Sequence, residues 1–314
     1  MKMCQILTYT LVVGFAFNIC SCGFGRNETT PSVKEEYTFI FENKEITTVV
    51  PYKAGCIVVL DSAEIEAIDA EGTVVASKVF DKEITHISAD QDGTVIMSFE
   101  DNEVVSLSLD ENEFSEILSV YAEGELKDVS CAPSEDLYFI LLDNGELYGF
   151  GKNSHRILDS DKNEDEIISD LVFIQDSIKY IAGGYLVDTE NCVYDLISGT
   201  TNPAPFSEDV NGIELYSSPV IYTDDTLYVL SGISLTPMQE QSIDSASFVC
   251  AELGYLYSLN GVHYYTGVLS ATPRGKGISE TNNSVVELPS DMSYCVILHG
   301  IVCYDEHHLI TYSV

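Results

Sequence analysis

DNGELYGFGKNSHRIL, residues 143–158, passes from a tight turn into an apolar strand and ends on a glycine, a lysine and an asparagine. Asn and Gly tolerate positive φ, so D-N-G between apolar runs marks a hairpin. The question is whether this hairpin stands alone or belongs to a repeated unit. KEIT at 44–47 returns at 82–85, with Gly55 matching Gly93 and Val58 matching Ile96. One grammar recurs from Val49, Ile87, Val129, Ile181, Leu215, Phe248 and Ser293. It runs as an apolar step, a small residue, a short break, a strand, a polar turn and a second strand. The turns fall near Asp61, Asp101, Asp143, Glu190, Asp224, Asn260 and Asp305, 34 to 47 residues apart.

A period of about 40 residues built from short strands points to a β-propeller. LYFILL (137–142) is apolar at every position. A strand covered on one side alternates apolar with polar, so such runs need cover on both faces. Blades packed around a ring supply it. The expected fold is all-β: a single seven-bladed β-propeller over 37–314, with repeats starting near 46, 84, 126, 177, 210, 243 and 292. The last repeat has room for about two strands. YTFIFEN (37–43) has no repeat of its own and is expected to complete the last blade, because an open ring exposes an edge. A small residue recurs at Ala89, Cys131, Gly183, Ser217, Cys250 and Cys295, where inner strands crowd together.

The unit from Val129 resembles the regulator-of-chromosome-condensation repeat. Asp143, Gly145, Leu147, Tyr148, Phe150, Gly151, Asn153 and Leu158 fall in its motif positions, and Arg156, Ile157 and Asp159 depart from it. Ala182 and Gly183 match in the next unit; elsewhere the rhythm persists without the signature. The resemblance implies a seven-bladed scaffold rather than an activity.

The chain of 314 residues carries 14 basic and 51 acidic side chains, a net charge of −37, which argues against nucleic acid as a partner. Residues 6–19 form an apolar run too short to span a membrane and suited to a signal peptide. ICSC follows, similar to a bacterial lipoprotein signal, with Ile19, Ser21 and Cys22 in place and Cys20 at an unusual position. This predicts a signal peptide over 1–21, lipidation at Cys22 and a tether over 22–36. The product would be extracytoplasmic and membrane-anchored by lipid, with plain secretion as the alternative. Cys56, Cys131, Cys192, Cys250, Cys295 and Cys303 remain, with no C-x-x-C pair to suggest zinc. They are expected as small packing residues rather than a disulfide framework.

DSDKNEDEIISD (159–170) puts Asp159, Asp161, Asn163 and Asp165 at the first ligand positions of a calcium loop, but Glu164 stands where Gly is needed. A solvated acidic insertion is the favoured reading. No nucleophile–base pattern stands out, so neither catalysis nor a cofactor is expected. The breaks after the small positions should share one face. They carry Asp90, Asp92, Glu135, Asp136 and Glu252, with Tyr185 nearby. Such a face suits a basic protein or peptide. The expectation is a monomeric protein- or ligand-binding module at the cell envelope. A propeller enzyme acting on glycans or peptides, and a structural subunit of an envelope assembly, are the alternatives.

Overall fold

The computed structural model describes residues 34–53, 55–90, 93–110, 112–133, 135–202, 209–215, 219–223, 227–231, 234–239, 249–251, 254–259, 262–267, 284–285, 292–297 and 300–313. Strand β1 (Lys34–Ile40) comes first. Then follow β2 (Ile46–Tyr52), β3 (Gly55–Leu60), β4 (Glu64–Ile68) and β5 (Val74–Val79), a four-stranded antiparallel sheet in sequence order. The next sheet holds β6 (Ile84–Ala89), β7 (Thr94–Phe99), β8 (Glu103–Asp110) and β9 (Glu113–Tyr121). The third holds β10 (Leu126–Ala132), β11 (Leu137–Leu142), β12 (Leu147–Lys152) and β13 (Ile167–Gln175). The fourth holds β14 (Ile178–Ala182), β15 (Tyr185–Asp188), β16 (Val193–Asp195) and β17 (Thr200–Asn202).

Strands β18 (Val210–Leu215), β19 (Pro219–Thr223), β20 (Leu227–Ser231) and β21 (Ser234–Gln239) pair in the same way. So do β22 (Val249–Ala251), β23 (Gly254–Leu259), β24 (Val262–Gly267) and β25 (Ser284–Val285). The remaining strands, β26 (Ser293–Ile297), β27 (Gly300–Tyr304) and β28 (His308–Ser313), form a sheet with β1 at its far edge. In that sheet Lys34 lies opposite Ser313 and Ile40 opposite His308. The first strand of each sheet touches the first strand of the next, and β26 touches β2.

The order within each sheet follows from the sequence. β3, β7 and β11 are buried at every residue. Their two faces pack into different clusters. In β11, Tyr138 and Ile140 join Ile96, Val104 and Phe150 on one side, while Leu137, Phe139 and Leu141 join Ile178 and Leu186 on the other. Each sheet is therefore one wall of two cores.

The first strands share a device. Register shifts fall between Ile46 and Thr48, Ile84 and His86, Leu126 and Asp128, Ile178 and Tyr180, and Val210 and Gly212. A bulge at the same place in five sheets adds local twist. Two of the skipped residues bond outward, whereas Thr47 and Thr85 bond within their own sheets. Lys127 Nζ donates to the Lys179 carbonyl at 2.8 Å, and Lys179 Nζ to the Val210 carbonyl at 2.7 Å, each reaching the next sheet. This alignment places Leu215, not Ser217, with Pro51, Ala89, Cys131 and Gly183. Ser217 lies outside the described residues.

The turn of the D-N-G hairpin has Gly145 at φ 86, and Asn144 Oδ1 accepts the Glu146 N–H at 2.9 Å. Gly151 is at φ 103, and a Cβ there would sit 2.3 Å from the Asp136 carbonyl oxygen. Cys56, Cys131, Cys192, Cys295 and Cys303 are buried free thiols. The side chain of Cys250 lies outside the described residues. Among the described residues the exposed large apolar side chains are Ile40, Val74, Val79, Ile117, Tyr121, Ile167 and Phe173, all on the fourth strands β1, β5, β9 and β13.

Two substitutions test this packing. Phe139→Ala, which empties one wall of a core, should cost about 3–5 kcal/mol in urea unfolding. Ile117→Ala on an outer strand should change stability by about 0.5 kcal/mol or less.

Candidate functional site

The connections from first to second strand lie on one side of the sheets, as antiparallel order requires. Each described one turns on a residue with positive φ: Lys53 (48), Gly93 (103), Asp136 (50) and Gly183 (59). The third-to-fourth connections, including 153–166, return to the same side.

Residues expected at this face separate into two kinds. Asp90 is a turn residue: it is buried, and its Oδ1 accepts the N–H groups of Gly93 and Thr94 at 2.9 and 2.8 Å. Tyr185 is half-buried in β15 and packs against the core around Val187 and Ile213, where burial raises its phenol pKa. Asp92 and Glu252 lie outside the described residues. Glu135 and Asp136 do reach the surface.

The structure brings Glu135 and Asp136 together with the acidic insertion, two features that are separate in the sequence. The Glu135 carbonyl accepts Ser154 Oγ at 3.1 Å, and its Oε1 lies 3.4 Å from His155 Nε2. The Asp136 carbonyl accepts the Lys152 N–H at 2.8 Å. Fully buried Asn153 is the hub of the insertion. Its Nδ2 donates to the carbonyls of Asp159 and Asn163 at 2.8 and 3.3 Å. Its Oδ1 accepts the N–H groups of Leu158 and Asp159 at 3.0 and 2.9 Å.

The residues named as calcium-loop candidates have other neighbours. Asp159 Oδ1 accepts the Asp161 N–H at 3.0 Å, Asp165 lies 3.3 Å from Lys152 Nζ, and the carbonyl of Asn163 is taken by Asn153. Among the described residues no group of three His, Cys, Asp or Glu is placed to hold a metal ion. Asp136 and Asp161 form no ion pair among the described residues. The result is an acidic lobe of half-buried Glu135 with exposed Asp136, Asp161, Glu164, Asp165 and Glu166.

Between the first strands lies a second feature. A cavity of about 290 Å³ is bordered by Lys53, Ser88, Asp90, Asp128, Ser130 and aliphatic residues of five sheets. Asp128 also borders a cavity of about 380 Å³ with Thr47, Thr85 and His86, toward the opposite side. Both belong to the channel-like space between the first strands, and Ile87 and Asp128 border both. Burial pushes the Asp128 carboxyl up to about 6, with the Val129 N–H (2.8 Å) and Lys127 pulling it back. Burial lowers His86, against a pull from Asp143, and its Nδ1 lies 3.0 Å from Ser98 Oγ. Asp128 had no signal in the sequence beyond being one of many acids; the repeated bulge is what places it.

No family model matches the sequence, and no curated protein does. Solved structures do share its fold. The Cps50 (Swd1) β-propeller domain of Myceliophteria thermophila has a TM-score of 0.56 at 13% identity, over 87% of this chain and 99% of that one. Yeast RCC1 (Prp20), in a structure with Kap60 bound, has a TM-score of 0.58 at 11% identity, over 86% and 80%. BamB from Moraxella catarrhalis has a TM-score of 0.55 at 8% identity, over 90% and 98%. At these identities the likeness concerns the fold, which is that of a β-propeller.

A carboxyl raised toward 6 in the folded state binds protons that the unfolded chain, with an ordinary Asp pKa near 4, has lost. Stability at Asp128 therefore falls as pH rises from about 4 to about 6. Asp128→Asn should leave stability unchanged at pH 4. At pH 7.5 it should raise it by on the order of 1–2 kcal/mol, after allowance for water in the channel, in paired urea titrations.

Proposed function

We propose that the chain is a seven-bladed ring whose last blade is completed by β1. We propose further that it binds a basic protein or peptide through the face bearing the acidic lobe. The ring reading is supported by the seven four-stranded sheets and by the contacts that run from β2 through β26 and back to β2. The binding reading rests on one observation: Glu135 and Asp136 at the tip of one connection adjoin the acidic insertion on the same side. Glu164, Asp165 and Glu166 lie near Arg156, Lys152 and Lys162, whereas Asp136 and Asp161 form no ion pair among the described residues. Such unpaired carboxylates attract a basic surface and accelerate its approach, an effect that salt weakens. In this reading the protein is a binder and not an enzyme, and it works outside the cytoplasmic membrane, held by lipid at Cys22. A protein partner is also seen with one structural neighbour: yeast RCC1 (Prp20) has Kap60 bound.

Exposed apolar side chains on the fourth strands favour a second reading, a subunit docked by its rim in a larger envelope assembly.

Charge reversal tests the first reading. Glu135→Lys, Asp136→Lys and Asp161→Lys together should weaken binding of an Arg- and Lys-rich peptide at least tenfold in 50 mM salt, and far less in 500 mM salt. Equal binding by both forms would remove the acidic lobe from the account. Separately, Cys22→Ala should abolish palmitate labelling and release the protein from membranes; labelling that persists would place the anchor elsewhere.

A further inference from the structure

The channel between the first strands has a chemistry of its own. Val50, Ile87, Val129 and Ile181 supply an aliphatic wall, and Ser88 and Ser130 add hydroxyls. Asp128 lies inside it, bordering both cavities. Its Oδ1 accepts the Val129 N–H at 2.8 Å. No donor among the described residues reaches its Oδ2, and none of their cations lies within ion-pair distance. Lys127, next to it in sequence, is turned away: its Nζ donates to the Lys179 carbonyl and lies 5.4 Å from the centre of the Tyr180 ring.

Asp128 is half-buried. A partly desolvated carboxylate without a counter-charge is costly, and a bound cation relieves that cost. The cavity sets Val50, Ile87 and Val129 beside Asp128, with Asp90 and Lys53 also on its border, an arrangement that fits a cation carried on an unbranched alkyl stem. The stem covers the wall and the head meets the acid.

We propose that the channel is a binding site for a primary alkylammonium group, whose head pairs with Asp128 and whose stem lies along Val50, Ile87 and Val129. The same chemistry is offered by a free aliphatic diamine and by a lysine side chain inserted from a partner. The site does not need the acidic lobe to bind a protein, so failure of the charge-reversal experiment leaves it standing.

Pairing requires the ionised carboxylate. The charged and titratable groups arrayed around Asp128 are Lys127 on its own strand, His86 on β6, Asp90 just beyond it, Lys53 beyond β2 and Lys179 on β14. Because burial holds the Asp128 proton, affinity should rise with pH through about 6. His86 gaining a proton at low pH acts in the same direction, since it adds positive charge to the channel.

Isothermal titration of the purified full chain tests this with two probes. One is 1,5-diaminopentane; the other is Gly-Lys-Gly, acetylated and amidated, with the norleucine peptide as control. Affinity should rise about tenfold from pH 5.0 to pH 7.5. At pH 6, titration in two buffers of different ionisation heat should show release of about half a proton per site. Asp128→Asn should abolish both the binding and the proton release, while urea unfolding verifies that the variant is folded. Binding of the diamine alone would assign the site to a small molecule, and binding of the lysine peptide would assign it to a partner's side chain. Binding of neither, equal binding of the norleucine peptide, or unchanged binding by Asp128→Asn would overturn the proposal.

Discussion

A strand buried at every residue needs neighbours on both of its faces, and most of this fold follows from that requirement. In β3, β7 and β11 even and odd positions alike are covered, and all but Thr94 and Ser98 of β7 are non-polar. A lone sheet shields one face of such a strand; the next sheet must shield the other. The clusters on either side of β11 draw on different neighbours, so removing one sheet would strip the next. The fourth strands are freer because they lie farthest from the shared cores. That is where Val79, Tyr121 and Phe173 reach solvent.

Much of this was legible in the sequence because the signal was carried by unbroken apolar runs and by turns. The sequence put repeat starts at 46, 84, 126, 177, 210, 243 and 292; the first strands begin at Ile46, Ile84, Leu126, Ile178, Val210, Val249 and Ser293. The bulges were not legible, since a register shift depends on two strands together and leaves no composition mark. Missing them misaligned Ser217. It also hid Asp128, whose position one residue past a bulge sets it between the two cavities.

Acidity was the least transparent feature. An excess of carboxylates suggested a charged face, yet many of them serve the backbone. Asp69, Asp90, Asp188, Asp195 and Asp305 each accept two main-chain N–H groups at the start of a turn. Short polar side chains that hold turns in this way are the common currency of a fold with many hairpins. Asp90 looked like a surface acid and is one of these. Asn153 is the clearest case of a polar side chain at work on the backbone: four of its hydrogen bonds shape the insertion.

The pairing of β1 with β28 has a mechanical side. Lys34 stands opposite Ser313, so both outer ends of the pair lie at the same edge of the sheet. Tension applied through those two ends would part the hydrogen bonds one after another, as a zip opens, rather than load them all at once as a lap joint does. The seam joining residues almost 280 positions apart is therefore the direction in which the molecule is easiest to pull open.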